Sequence, residues 1–408
     1  MKTFVFKLYR NKKGEKYLDN YLSICCEIYN HSLAYKQNLY KTQKINISKN
    51  DLQKHLKDLR NSEQYKHWQN VGSQVIQQIT DRIYNGYNLF FKAKKEGKKG
   101  RHRVNPPKLK KNSCKYKSLT FKQAGFKFLN SEDKNYGLLK IGELNFKYHR
   151  SREIEGKIKT LTVKRNSIGE YFIFITTDII EFINLPRLGK YVGFDFGLGD
   201  NYLIGSDGYN VQSPLFFLND RKKISKLTKK LKSKKEGSNN RERARLILAR
   251  AYIDIANRRN DFHWKLANSL VDKYDFIFFE DLNLKELMAK VNRRGRKIAD
   301  LGFYNFILKI TYLFRKYCKM VRKIDRYYPS TKTCSNCGFI NNSLTLKDRE
   351  WECPDCKVVH DRDYNAAINI LKQGLNSDIV GASTIDINNT VSLSLGEAGI
   401  YDVRIPRL

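Results

Sequence analysis

Four cysteines and three acids carry the chemistry that can be read from this chain. Cys334-Ser-Asn-Cys337 and Cys353-Pro-Asp-Cys356 form two knuckles separated by fifteen residues. That spacing lets four thiolates close on one tetrahedral zinc ion. Four protein ligands leave no open position, so the expected Zn²⁺ is structural and not catalytic. Gly338, directly after the first knuckle, suits the tight turn that aims backbone N–H groups at thiolate. His360 lies just beyond the second knuckle and reads as a polar neighbour.

The acids stand where apolar segments end. Asp195 follows Tyr191-Val-Gly-Phe, Glu280 closes Phe276-Ile-Phe-Phe, and Asp363 opens a string whose inner helical face would be Ala366, Ala367 and Ile370. Each has an ordinary use as well. An aspartate before glycine is common in turns, and a carboxylate at a helix start is favoured by free N–H groups and the macrodipole. Asp361 competes with Asp363 for any role at that helix mouth. Glu280 is the stronger signal, because a carboxylate ending a buried strand needs a partner; Asp281 beside it should point to the opposite face. One arrangement unites the three: a central sheet offering Asp195 and Glu280 at adjacent strand ends, with a helix N-terminus supplying Asp363. That is the ribonuclease-H-like layout. Clustered carboxylates repel one another, so the grouping makes sense around cations, two Mg²⁺ or Mn²⁺ ions about 4 Å apart. The chemistry expected of such a site is phosphodiester hydrolysis, with one ion activating water and the other stabilising the departing oxygen.

The elements that must position these residues can be placed coarsely. A chain of 408 residues with 41% apolar content predicts two or three domains with sizeable cores. Residues 3–9 alternate like a strand, and no apolar run approaches the roughly 18 residues that span a bilayer. From about 15 to 92 the spacing is helical: Leu18, Tyr21, Leu22, Cys25 and Tyr29, then Val75, Ile76, Ile79, Ile83 and Tyr87. Short alternating runs from 118 to 183 predict an antiparallel barrel or sandwich into which the first strand pairs. Beyond Pro186, strands are expected near 191–196, 202–204, 276–280 and 320–327, with helices reaching about 273 and from 303 to 319. The tail after 374 is rich in Ser, Asn and Thr and predicts disorder.

Charge narrows the partners. Lys and Arg number 78 against 41 Asp and Glu, a formal charge of +37. An excess of this size strains a compact fold unless a polyanion accompanies it, and its spread along the whole chain favours nucleic acid over a membrane surface. Lys92 to Lys117 holds twelve basic residues and one acid around Pro106-Pro107. Within it Lys98, Lys99, Arg101, Arg103 and Lys108, and in a second basic stretch Lys229 and Lys230, are the candidate phosphate contacts. Cys25, Cys26, Cys114 and Cys318 have no ligand spacing and read as buried apolar filler in a reducing compartment.

These strings together resemble the TnpB family, transposon-encoded RNA-guided nucleases related to the type V CRISPR effectors. The matching residues are Val192-Gly-Phe-Asp195-Phe-Gly-Leu, Ser206-Asp-Gly208, Asn257-Arg-Arg-Asn-Asp-Phe-His263 and Phe279-Glu280-Asp-Leu-Asn283. They continue through Tyr328-Pro-Ser-Thr-Lys-Thr-Cys-Ser-Asn-Cys-Gly338 and Cys353 to Asn369, with Ser73-Gln-Val-Ile-Gln-Gln-Ile79 in the N-terminal half. The resemblance implies an α/β multidomain protein. A wedge β-barrel (1–9 and 116–185) would carry a helical recognition lobe (10–115). A RuvC nuclease domain (186–329 and 359–374) would hold an inserted zinc ribbon (330–358), and 375–408 would be a disordered tail. It implies a RuvC triad of Asp195, Glu280 and Asp363, and as partners a guide RNA and double-stranded DNA with its displaced strand. A short target-adjacent motif would be read, and the setting would be a prokaryotic cytoplasm, with the nucleoid when bound to DNA. Phe194 and Phe196 depart from the smaller aliphatics usual in the family. An RNA-guided DNA binder without cleavage is the alternative; relatives of that kind lose one or more of the acids, and none is lost here.

Overall fold

The computed structural model describes residues 1–97, 103–111, 116–131, 133, 135–197, 199–282, 298, 300–345 and 348–378, and its backbone divides into two units, Met1–Ile180 and Glu181–Leu408. Lys98, Lys99, Arg101, Cys114 and the segment 379–408 lie outside the described residues.

The first unit opens with β1 (Lys2–Lys7), then α1 (Lys12–Gln43), α2 (Lys49–Arg60), a 3₁₀ segment Glu63–Asn70 and α3 (Ser73–Lys95). Asn11 caps α1 by accepting the Lys13 and Gly14 N–H groups, and Ser48 caps α2 through Asp51 N–H. The helical span read from about 15 to 92 is therefore three helices, broken first where Lys44 turns left-handed (φ 58°). Leu18, Leu22, Cys25, Tyr29, Val75, Ile79 and Ile83 are buried as their spacing requires, around Trp68. Six further strands follow: β2 (Ser118–Phe121), β3 (Phe126–Leu129), β4 (Tyr136–Ile141), β5 (Leu144–His149), β6 (Ile158–Arg165) and β7 (Tyr171–Thr177). They make two antiparallel sheets, β1-β7-β6-β2 and β3-β4-β5, joined by a bridge between Leu8 and Tyr148. Phe4 pairs with Ile175, so the helices interrupt a sheet that the first strand completes.

The second unit is built on one sheet. Its strands are β8 (Tyr191–Phe196), β9 (Asn201–Gly205), β10 (Asn210–Gln212), β11 (Phe276–Glu280) and β12 (Met320–Ile324), in the order β10-β9-β8-β11-β12. β8, β9 and β10 are antiparallel neighbours, whereas β11 runs parallel to both β8 and β12. Parallel neighbours require long crossovers. One is supplied by α4 (Phe216–Asn219), α5 (Arg221–Lys232) and α6 (Asn239–Lys273), the other contains α7 (Phe303–Lys316). The strand expected to 327 ends at Ile324, and the helix expected to 319 ends at Lys316. The chain reverses there: Lys319 N–H bonds Phe314 O while Cys318 takes a left-handed φ of 53°. Cys318 is consequently exposed and is not core filler; Cys25 and Cys26 are buried.

The sheet is covered on both faces, which is why β8 and β11 at its centre are almost uniformly apolar. Val192, Phe194, Phe196, Ile277, Phe279 and Val321 face α6 and α7 through Leu266, Leu270, Phe306 and Phe314. The other face lies under α8 (Arg362–Asp378), whose Ile370 packs on Phe278 and Ile324. The helix thus runs four residues into the segment expected to be a tail. A small hairpin, β13 (Glu350–Glu352) and β14 (Val359–Asp361), precedes α8.

Gly193 sets the distance between sheet and helix. A Cβ built there would stand 2.4 Å from both Ala367 O and Leu371 N, backbone atoms that cannot swing aside. Gly193→Ala should therefore destabilise the second unit by at least the roughly 1–3 kcal/mol usual for overpacking. Chemical denaturation followed by tryptophan fluorescence measures it; an unchanged midpoint would show that α8 can back away.

Candidate active site and metal centre

Strand register brings the first two acids together. Phe194 of β8 pairs with Phe279 of β11, and the next residue on each strand is Asp195 or Glu280. Parallel neighbours lie about 4.8 Å apart with registered side chains on a common face. By the two-residue alternation, Asp195 shares its face with Gly193, and Glu280 with Phe278. This is the face covered by α8: Ala367 and Leu371 lie over Gly193, and Gly374 over the Phe278 ring. One helical turn before Ala367 is Asp363. Its charge reaches Asp195, whose carboxyl is pushed up to about 7 by burial first, then by Asp363 and Glu280. Burial and the neighbouring Asp281 also raise Glu280.

The remaining acids sort themselves. Asp361 is exposed and accepts the Tyr364 N–H at 2.8 Å, so it caps α8 and leaves Asp363 in the first turn. Asp281 bonds Lys323 at 2.9 Å and also pairs with Arg326, which hold it below the usual carboxylate range despite its burial. Arg326 Nε also donates to the Asp281 carbonyl at 3.0 Å, fixing the chain just past Glu280. Asp363 bonds Arg362 at 2.9 Å and Arg349 at 3.1 Å. Neither arginine was legible as part of this centre; the only signal was a basic residue flanking the acid.

The donor set fits hard divalent cations: three carboxylates, of which two resist ionisation where they stand. They are gathered less tightly than the thiolates. The four-sulfur cluster is the group among the described residues that closes to the size of a single-ion site.

The cysteines do close. Their sulfurs all lie within 4.8 Å of one another, with Cys334–Cys356 and Cys337–Cys353 each at 3.6 Å. A zinc–sulfur bond of about 2.3 Å gives a tetrahedral edge of about 3.8 Å, so the cage fits Zn²⁺. The knuckles repeat one another. Gly338 N–H bonds Cys334 O and Lys357 N–H bonds Cys353 O, with left-handed φ at both Gly338 (82°) and Lys357 (60°). Asn336 and the Val358 N–H draw Cys356 down to about 6, favouring the thiolate that zinc needs. His360 places Nε2 3.0 Å from the Cys334 sulfur and packs on Trp351.

Two asparagines bolt this cage to the acid-bearing helix. Asn365 and Asn369 are almost wholly buried on α8. Asn365 donates to Thr333 O (2.8 Å) and accepts from Ser335 N–H (2.8 Å). Asn369 donates to Ser330 O (2.8 Å) and Thr333 O (2.6 Å). Their signal in sequence was a pair of polar residues four apart on an otherwise apolar helix face.

Of the candidate phosphate contacts, Arg103 and Lys108 are exposed on an irregular segment, and Lys229 and Lys230 on α5. The second basic stretch is thus a helix anchored by Ile224 and Leu231.

The second unit defines a class of α/β proteins in which helices cover both faces of one sheet and a four-cysteine cluster precedes the last helix. Residues 175–291 match the OrfB/IS605 family model, described as a probable transposase, and residues 303–370 match the Cas12f1-like TNB domain. The resemblance to the TnpB family is shown. A candidate RNA-guided DNA endonuclease of Streptomyces pristinaespiralis is 27% identical over 382 residues, covering 93% of this chain and 91% of the relative. A TnpB-like protein of Acanthamoeba polyphaga mimivirus is 32% identical over 230 residues, 53% of this chain and 44% of that protein. In fold the chain is similar to the Cas12f1 chain of a Cas12f1–sgRNA–target DNA complex (TM-score 0.52, 16% identity, 88% of this chain and 83% of that one). It is also similar to the mini-RNA-guided endonuclease CRISPR-Cas phi3 (TM-score 0.55, 10% identity, 92% of each). Among the described residues no helix is long and apolar enough to cross a membrane.

The raised Asp195 has a thermodynamic consequence. Unfolded aspartate ionises near pH 3.9, whereas the folded group ionises near 7, so folded protein without divalent ions loses stability as pH rises between those values. Asp195→Asn removes that loss. Thermal denaturation of zinc-loaded protein in Mg²⁺-free buffer should show the variant more stable than wild type at pH 8, with the advantage gone by pH 4. A variant less stable at pH 8 would contradict the electrostatic account.

Proposed function

We propose that this chain is an RNA-guided, divalent-metal-dependent DNA endonuclease of a transposon-associated system. The observation that supports it most is that Asp195 and Glu280 follow the registered pair Phe194 and Phe279 on parallel strands, and that Asp195 feels the charges of both Asp363 and Glu280. A net charge of +37 on the chain suits a protein that binds a polyanion and cuts it. The names of its relatives and the nucleic acids in the Cas12f1 complex support the same conclusion.

In this proposal the second unit is a RuvC nuclease domain of ribonuclease-H-like architecture, interrupted by the zinc ribbon. The first unit is a wedge barrel with a helical recognition lobe that holds guide RNA and reads a short motif beside the target. Guide–target pairing supplies sequence specificity, and the displaced DNA strand reaches the acids. Asp195, Glu280 and Asp363 would hold two Mg²⁺ or Mn²⁺ ions, which when bound supply Lewis acidity at the scissile phosphodiester. Asp195 and Glu280 accept that charge on a rigid sheet edge, so their spacing survives substrate binding. Asp363 would hold the cations in place of its present ion pairs, and Arg349, one of its two arginine partners, would then face a phosphate. Catalysis would take place in the prokaryotic cytoplasm, on nucleoid DNA.

Purified ribonucleoprotein should cut a matched duplex with added Mg²⁺ and leave it intact without. Asp195→Ala, Glu280→Gln and Asp363→Ala should each lower cleavage by at least about a hundredfold, since even outer partners of metal ligands contribute 10–100-fold. Wild-type cutting by any of them removes that residue from the centre. Replacing Lys229 and Lys230 with Gln should reduce the slope of log affinity against log salt by about 0.7–0.9 for each phosphate that is no longer neutralised. An unchanged slope means those two side chains are only solvated.

A further inference from the structure

A second site lies on the outer side of α6, across the sheet from α8 and the acids. Arg258, Asp261, Phe262, Lys265 and Ser269 line one wall of an open cavity of about 460 Å³, opposite Phe216 of α4 and Tyr209 beside β10. The wall residues recur at three- and four-residue spacing, so they form one stripe along the helix. Phe216 and Phe262 meet edge to face with centroids 6.0 Å apart, and both keep part of their rings exposed. Each ring is packed on one side against the core and open to solvent on the other, so the corner offers a partly open aromatic surface.

Its rim says what the corner is for. Arg258 lies over Phe216 at 5.7 Å and Lys273 over Tyr209 at 4.1 Å, while Lys265 stands exposed at the mouth. Arg258 is paired with Asp220 and Asp254, and Lys265 with Asp261 at 2.8 Å. These pairs are solvent-facing and cost little to break. An occupant that is flat and aromatic, carries hydrogen-bonding edges and trails a negative charge meets all of these groups at once. We propose that this cavity receives one unpaired nucleobase of a bound nucleic-acid strand. The base stacks in the corner of Phe216 and Phe262, Asp261 and Ser269 meet its edge, and its phosphates lie against Arg258, Lys265 and Lys273. A cavity of this volume is within the range of small-ligand sites. The proposal rests on the chain being a nucleic-acid binder, but not on its cutting DNA.

The test uses the zinc-loaded full chain and 2-aminopurine ribonucleoside 5′-monophosphate, a base whose fluorescence is quenched by stacking on aromatic rings. The titration is run without DNA or Mg²⁺, so it is independent of cleavage. Saturable quenching is expected, displaced by adenosine monophosphate but not by ribose 5-phosphate. Phe216→Ala removes the platform, and Ser269→Trp fills the cavity from the other wall. Each should raise the half-saturation concentration at least about fivefold, the lower end of what one stacked base contributes. Unchanged melting temperature and zinc content establish that the variants fold. Quenching that does not saturate, or that is the same in both variants, overturns the proposal. So does equal displacement by ribose 5-phosphate, which would make this a phosphate site alone. Intact DNA cleavage with a failed titration removes only the cavity; a saturable titration without cleavage removes only the nuclease.

Discussion

Two backbones meet at Gly193 with no side chain between them, and the second unit is organised by that contact. The missing Cβ lets α8 lie directly on β8, with Ala366, Ala367 and Ile370 filling the seam. Because the helix is pinned there, its first turn has a fixed position relative to the strand end two residues further along β8. Asp363 is carried on that turn and Asp195 on that strand. A larger residue at 193 would move the acid on the helix without altering any acid. The placement of the carboxylates is therefore a packing result before it is an electrostatic one.

The electrostatics then run against the grain of the whole molecule. In a chain with seventy-eight basic residues, Asp195 is held near neutrality by burial first and then by Asp363 and Glu280. In a protein optimised for stability alone such a spot would be lost, since burying like charges together is unfavourable. It persists beside two arginines that pair with Asp363. Asp281 shows the contrast. It is the next residue after Glu280, yet its face of the strand is furnished with Lys323 and Arg326, and it is an ordinary ion pair.

Much of this was legible because the informative residues sit where a simple pattern stops. An apolar run ending in an acid locates Asp195 and Glu280, and paired cysteines with a following glycine locate the ribbon. Contacts whose meaning depends on a distant partner were not legible. Gly193 looks like any strand glycine until α8 is laid over it. Asn365 and Asn369 look like flaws in an amphipathic face until the carbonyls of residues 330 and 333 are brought to them. In α5 the basic residues hide Ile224, Leu227 and Leu231, whose helical spacing packs the stretch onto α6. Cys318 reads as core because cysteines usually are; a reversal at the end of α7 turns it outward.

The asparagine bolts give the sulfur cage a reach beyond its own fold. Thr333 precedes the first zinc ligand directly, and its carbonyl is held by both Asn365 and Asn369 on the helix that bears Asp363. Oxidation of the thiolates, or starvation for zinc, would loosen that anchorage from the far end and let the helix start drift. Under the proposed function, cleavage would then stop with every acid chemically intact, and zinc supply and redox state would govern a centre that contains no sulfur.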